Sequence, residues 1–244
     1  MSKDKKTLKD VKMHYCPGCG HTIVHRLISQ VIDELGIREK TIGSAPVGCA
    51  VLLYNYFNID VIECAHGRVP SVISVIKRCL PEKIVFAYQG DGDLAAIGTN
   101  ETIHTANRGE NITVIFINNA IYGMTGGQMA PTTIMGQKTT TTPEGRGKNL
   151  EGAPIKVCEM ISVFDGPTYV ERVAVNNTEN IKKTKEAIKK AFRCQIDGKG
   201  YSFIEILSMC PTNWKIDMKE SLKFVDKMQE SFPLGVFKDM RKER

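Results

Sequence analysis

Residues 83–119 read Lys-Ile-Val-Phe-Ala-Tyr-Gln-Gly-Asp-Gly-Asp, then LAAIGTNETIHTANRGE, then Asn-Ile-Thr-Val-Ile-Phe-Ile-Asn-Asn. Lys83 to Tyr88 is an apolar run bounded by turn formers, the pattern of a buried strand. Leu94 to Asn107 has helical composition, and Asn111 to Ile117 is a second buried strand. Strand, Gly90-Asp91-Gly92-Asp93 turn, helix, strand and Asn118-Asn119 make one βαβ unit. The pattern predicts an α/β protein with a doubly wound, mainly parallel sheet. Open parallel sheets bind ligands at the C-terminal ends of their strands, where the acidic turn falls, and a helix N-terminus favours an anion. The Asp91 carboxylate, the Asn119 side-chain oxygen and a nearby backbone carbonyl are hard ligands, suited to a Mg²⁺ that bridges a diphosphate. Each half has a plainer reading, because Gly-Asp-Gly is a common strand-to-helix turn with its Asp as N-cap. The pairing with Asn118-Asn119 favours the ligand.

With 244 residues and 42% apolar content, the chain has material for a large packed core. We read it as one domain, 1–244, because no repeat or linker interrupts it. No run approaches the ~20 apolar residues of a membrane span. The N-terminal MSKDKKTLKDVK is basic and leads into no apolar signal region, so residues 1–12 are expected to be a mobile tail on a cytoplasmic protein. The net charge of +6 comes from lysines in both termini and along Lys182 to Lys190. Solvated helix faces account for it, and no basic patch interleaved with aromatics points to nucleic acid.

Eight cysteines in such a chain point to metal or redox chemistry where they cluster, rather than to disulfides. Cys16-Pro17-Gly18-Cys19-Gly20-His21 offers two thiolates on a chain that glycines let curl around one centre. It precedes an amphipathic helix with Ile23, Val24, Leu27, Ile28, Val31, Ile32 and Leu35 on one face. Cys49 lies in a Gly/Pro turn after the short strand Thr41 to Gly43. Cys210, followed by Pro211, comes after the strand Tyr201 to Leu207. Four thiols can take a structural zinc or a 4Fe–4S cluster, and spacing does not distinguish them. Cys64, Cys79, Cys158 and Cys194 read as small buried hydrophobes.

Taken together, CPGCGH at 16–21, the VGC turn at 47–49, His66-Gly67-Arg68, GDGD at 90–93, NNAIYGMTGGQMAPTT at 118–133 and CPT at 210–212 resemble the β subunit of a 2-oxoacid:ferredoxin oxidoreductase. The resemblance implies a thiamine-diphosphate-binding fold, in the module that holds the diphosphate. It implies that Cys16, Cys19, Cys49 and Cys210 bind a 4Fe–4S cluster, and that Asp91, Asn119 and the Ile121 carbonyl bind Mg²⁺. Val47, Gly48, Cys49, Ala50, His66, Gly92, Asp93, Gly123 and Met124 match positions that line the cofactor; on its own, His66 reads as a hydrogen-bonded turn histidine. The implied reaction decarboxylates a 2-oxoacid oxidatively, with coenzyme A as acyl acceptor and electrons passing through the cluster to ferredoxin. Thiamine supplies the ring that holds the electron pair left by CO₂.

The glutamate that activates thiamine has no recognisable counterpart in this chain. The resemblance assigns it to a partner α subunit, so the expected catalyst is a hetero-oligomer, with room for further ferredoxin-like γ and δ subunits. The segment from Thr125 to Gly147 has the composition of a flexible surface loop, while its place after Asn119 suits an active-site loop or subunit contact. Its form is nearest to enzymes of 3-methyl-2-oxobutanoate or 2-oxoglutarate, and the branched-chain substrate is favoured. Two competing readings are a non-oxidative thiamine decarboxylase or synthase subunit, which leaves the cysteines unexplained, and a zinc-stabilised non-enzymatic module, which leaves Asp91 and Asn119 unexplained.

Overall fold

The apolar runs of the sequence become the centre of a seven-stranded sheet. The computed structural model of the protein describes residues 6–243. Its helices are α1 (His21–Leu35), α2 (Val69–Cys79), α3 (Thr99–Asn107), α4 (Val157–Ser162), α5 (Thr178–Ile196), α6 (Pro211–Trp214) and α7 (Met218–Ser231). The strands are β1 (Thr41–Ala45), β2 (Asp60–Glu63), β3 (Ile84–Gly90), β4 (Thr113–Asn118), β5 (Pro167–Ala174), β6 (Tyr201–Leu207) and β7 (Gly235–Asp239). They lie in the order β2-β1-β3-β4-β6-β5-β7, all parallel except β7, which runs antiparallel to β5. The sheet is doubly wound, as the βαβ pattern predicts.

Both faces are covered, which explains why the central strands are apolar without alternation. Phe86, Tyr88, Ile115, Ile117, Ile204 and Ile206 face one core with α1, α5 and α7. Val85, Ala87, Val114, Phe116 and Phe203 face the other with α2, α3 and α4. Each fully buried Val, Ile or Phe among them contributes about 1.5–3 kcal/mol. Helix α1 ends in an αL glycine, Gly36, and α5 begins with Asn177, whose side chain accepts from the Asn180 N–H.

Register sets the level of the loops. Gly90 pairs with Ile117, and Asn118 with Leu207, so β3, β4 and β6 end together. The chain leaves β1 for β2 on one side and returns to β3 on the other. That reversal opens a crevice beyond the carboxyl ends of β1 and β3, where such sheets bind ligands.

Several expectations change. The helix read over Leu94 to Asn107 is divided: a π turn spans Asp93–Ile97, and α3 begins only after Gly98. Gly98 packs so tightly that a Cβ would stand 2.4 Å from the Asp93 carbonyl oxygen. Strands β5 and β7 and helix α4 have no counterpart in the sequence reading, and β7 closes the sheet as an antiparallel edge strand after α7. Within the stretch 1–12, expected to be a mobile tail, the described part carries two anchors. Thr7 is fully buried, its N–H and hydroxyl donate to Asp33 at 3.0 and 2.6 Å, and Leu8 bridges to Phe57. Residues 1–5 lie outside the described ones. Cys64, Cys158 and Cys194 are buried as expected, whereas Cys79, at the end of α2, is exposed. Among the described residues, no helix is long and apolar enough to cross a membrane.

Candidate functional site

Four loops leave the carboxyl edge of the sheet and meet over the crevice. The turn after β1 carries Val47 to Ala50, the loop after β2 carries His66, the turn after β3 carries Asp91 to Asp93, and the segment after β4 carries Asn119 and Ile121 to Met124. All of these line one cavity of about 240 Å³, together with His21, Pro46 and Thr125. A second cavity of about 220 Å³ is lined by Cys16, Cys19, Cys49 and Cys210, with His14, Tyr15 and Asn213. His21, Cys49, Asn119, Gly123 and Met124 line both. Every site residue expected from the sequence is at one cavity or the other.

Asp91 is buried, and its oxygens accept from the N–H of Gly92 (2.8 Å), the N–H of Ile121 (3.2 Å) and the Thr132 hydroxyl (2.8 Å). Burial without a cationic neighbour pushes its carboxyl up to about 7, against the pull of those donors. A buried carboxylate left in that state is a natural seat for a divalent cation. The opposing turn is held firmly. Ala120 has φ of +56°, rare for a residue with a Cβ. Its N–H donates to the Asn118 side chain, and its carbonyl accepts from Thr133 Oγ1 (2.7 Å) and Gln137 Nε2 (2.9 Å). Asn118 in turn donates to Glu205 (2.7 Å), which pairs with the fully buried Arg172 (2.8 Å), itself paired with Glu159. A buried ion group of this kind costs desolvation, but here it ends in the hydrogen bond that fixes the turn.

Asp93 faces the same cavity and is engaged on both oxygens. His66 Nδ1 stands 2.5 Å away, the Gly67 N–H donates at 2.9 Å, and Gln89 Nε2 donates at 2.6 Å. Its contacts leave His66 Nε2 as the ring atom free to act in the cavity. Beneath the thiols, His21 Nδ1 lies 2.6 Å from the Tyr88 hydroxyl, and His25 Nε2 2.6 Å from that of Tyr15. Burial pushes His21 down to about 4 and His25 well below its ordinary value.

The four cysteines of the second cavity are free thiols. Burial pushes Cys19 up to about 12 and Cys49 to about 11, with the neighbouring sulfurs adding to the effect. Gly123 separates the thiols from the acidic cavity; a Cβ there would stand 3.1 Å from Cys49 Sγ and 3.6 Å from Cys210 Sγ. Among the described residues, no three His, Cys, Asp or Glu side chains are grouped as ligands of a single metal ion. Four thiols around a shared cavity are a donor set that suits an iron–sulfur cluster and equally a structural zinc.

Sequence reading missed the residues that brace these loops. Thr132 lies in the quoted APTT piece and holds Asp91, and Trp214 Nε1 donates to the Asn119 carbonyl at 3.0 Å. Neither belongs to a spacing pattern that marks a ligand.

The family described as thiamine pyrophosphate enzyme, C-terminal TPP binding domain, matches residues 45–206. Over 236 residues the chain is 38% identical to the 2-oxoglutarate synthase subunit KorB of Methanocaldococcus jannaschii, a match that covers 94% of this chain and 82% of that protein. This chain is one of the thiamine-pyrophosphate-binding subunits of the 2-oxoacid oxidoreductase family. A second relative is the ketoisovalerate oxidoreductase subunit VorA of Methanothermobacter marburgensis, 49% identical over 231 residues. This chain spans 48% of that longer subunit's length, and 94% of its own residues take part. The fold is shared with a solved 2-oxoglutarate:ferredoxin oxidoreductase from Magnetococcus marinus, which has 2-oxoglutarate, coenzyme A and succinyl-CoA bound. The TM-score is 0.79 at 24% identity, covering 98% of this chain and 86% of that one.

Proposed function

We propose that this chain is the β subunit of a 2-oxoacid:ferredoxin oxidoreductase, carrying thiamine diphosphate, Mg²⁺ and one 4Fe–4S cluster. The observation that carries the reading is the shared wall: Cys49, Asn119, Gly123 and Met124 line both the acidic cavity and the thiol cavity. An electron source and an electron acceptor in these two cavities would be neighbours. Asp91, Asn119 and the Ile121 carbonyl would hold Mg²⁺, which positions and neutralises the diphosphate without activating water. Val47 to Ala50, His66, Gly92, Asp93, Gly123 and Met124 would line thiamine diphosphate, and Cys16, Cys19, Cys49 and Cys210 would hold the cluster. When bound, thiamine supplies the carbanion-stabilising ring for decarboxylation. This chain's residues bind and orient it.

A cavity of about 240 Å³ is small beside the ~300–1,000 Å³ of complete small-molecule sites. Its acidic lining is Asp91 and Asp93, and no glutamate of the described residues lines it. Both features support a partner α subunit that completes the pocket and supplies the activating glutamate, with ferredoxin-like subunits and ferredoxin beyond. The substrate we favour is 3-methyl-2-oxobutanoate, on the higher identity to a ketoisovalerate oxidoreductase subunit than to 2-oxoglutarate synthase subunits. The test is a panel of 2-oxoacids with coenzyme A and a viologen acceptor, using the complex purified anaerobically. The branched-chain acid should give the highest kcat/KM; faster turnover of 2-oxoglutarate would reassign the substrate. A complex without iron, or inactive on every 2-oxoacid, would refute the redox reading.

A further inference from the structure

Helix α6 follows Cys210 directly and ties the thiol cavity to the acidic one. The Trp214 N–H closes it onto the Cys210 carbonyl at 3.0 Å, and Lys215, at φ +56°, ends it. Within this turn the side-chain nitrogen of Asn213 faces two acceptors. One is the Gly123 carbonyl at 3.0 Å, and the other is Cys210 Sγ at 3.5 Å, a normal length for a donor to sulfur. The orientation of the amide follows from its neighbours. Turned over, it would set its oxygen against a carbonyl oxygen and a sulfur, two acceptors facing an acceptor.

An N–H aimed at a cluster thiolate matters more after reduction than before it. The added electron is spread over iron and sulfur, so the sulfurs become better acceptors and the reduced form gains more from the bond. Hydrogen bonds to sulfur are among the features that set the potential of iron–sulfur centres. The same amide group holds Gly123, the residue between the two cavities.

We propose that Asn213 is a tuning residue. Its N–H to Cys210 raises the reduction potential of the cluster, and its N–H to Gly123 fixes the wall across which each electron released by oxidative decarboxylation passes. The inference rests on the proposed function, because it needs a cluster on Cys210. It adds a residue that is not a ligand and touches neither substrate nor thiamine in that reading.

The experiment uses Asn213→Asp and Asn213→Ala in the full chain with its partner subunit, purified anaerobically. Iron and acid-labile sulfide are measured first, then the potential by EPR during dithionite titration. Asp keeps the shape of Asn, removes both donors and adds a negative charge beside the sulfur. With iron at the wild-type level, the potential should move negative in N213A and further in N213D. Should N213D fail to retain the cluster, the N213A shift alone decides. Unchanged potentials with full clusters would overturn the proposal. Absence of iron and sulfide from the wild type would overturn the cluster reading itself, and that is visible before any variant is made.

Discussion

At the scale of single residues, Gly123 separates the two proposed cofactor sites. A methyl group there would lie 3.1 Å from Cys49 Sγ, 3.5 Å from Asn213 Nδ2 and 3.6 Å from Cys210 Sγ. The space it would occupy belongs to the thiol cavity. Gly123→Ala should therefore lower iron per chain several-fold while Mg²⁺-dependent thiamine diphosphate binding survives. Iron and sulfide assays beside calorimetric titration separate the two effects, and undiminished iron in G123A would remove the cluster from between these cysteines. The sequence made the ligand candidates legible because ligands come as short patterns, CPGCGH and GDGD, with flexible glycines around them. The residues that orient them were not legible. Thr132, Asn213 and Trp214 act across 41, 3 and 95 positions of the chain, and Asn213, close as it is to Cys210, carries no signature apart from its geometry.

At the scale of elements, the segment from Thr125 to Gly147 departs most from its composition. Gly, Thr and Pro suggested a solvated loop, yet Ala130, Thr132, Thr133, Ile134, Gln137, Thr139, Thr142 and Arg146 are buried. The Arg146 guanidinium donates to the carbonyls of Ala130, Pro131, Thr133, Gly152 and Ala153. Hydrogen bonding replaces apolar packing here, and composition does not report it. The outcome is a segment tied down by hydrogen bonds, whose Thr132 hydroxyl holds Asp91 and whose Thr133 and Gln137 hold Ala120. Partners behind a metal ligand are commonly worth 10–100-fold in metal affinity. Thr132→Val, which keeps the shape and loses the hydroxyl, should raise the Mg²⁺ concentration for half-maximal thiamine binding by about that factor. Thr132→Ser should restore it, which a purely packing role for the methyl group would not allow. Helix α1, with its single apolar face, and the unbroken apolar runs of β3, β4 and β6 were legible for the opposite reason. Strand β5 was not, because Arg172 breaks its apolar run and makes sense only beside Glu159 and Glu205.

At the scale of the whole molecule, the parallel order was legible in the βαβ pattern. Strand order was not, since it depends on contacts between distant segments. Stability is likewise a property of the whole, and the site leaves a signature in its pH dependence. His21 and His25 are neutral in the fold, their values depressed by burial, so the unfolded chain takes up protons below about 6.5 that the fold refuses. Their contribution is present above 6.5 and is lost as pH falls, through about 4 for His21. Asp91 has the opposite sign. Its folded value is raised to about 7, so its contribution is present below the unfolded value near 3.8 and is lost as pH rises through 7. Between pH 5 and 6, in the absence of metal, the unfolded state binds up to two more protons at the histidines and one fewer at Asp91. One net proton corresponds to about 1.4 kcal/mol per pH unit, and two to about 2.7. Asp91→Asn removes the opposing term. Urea unfolding of the metal-free chain from pH 4.5 to 8 should thus show a slope between pH 5 and 6 that is steeper in D91N by close to one proton. The variant should also be the more stable protein above pH 7, as expected where a buried charge is kept for binding rather than for folding. Parallel slopes would mean that Asp91 is already ionised in the empty fold, and that its cavity is wetter than its burial implies.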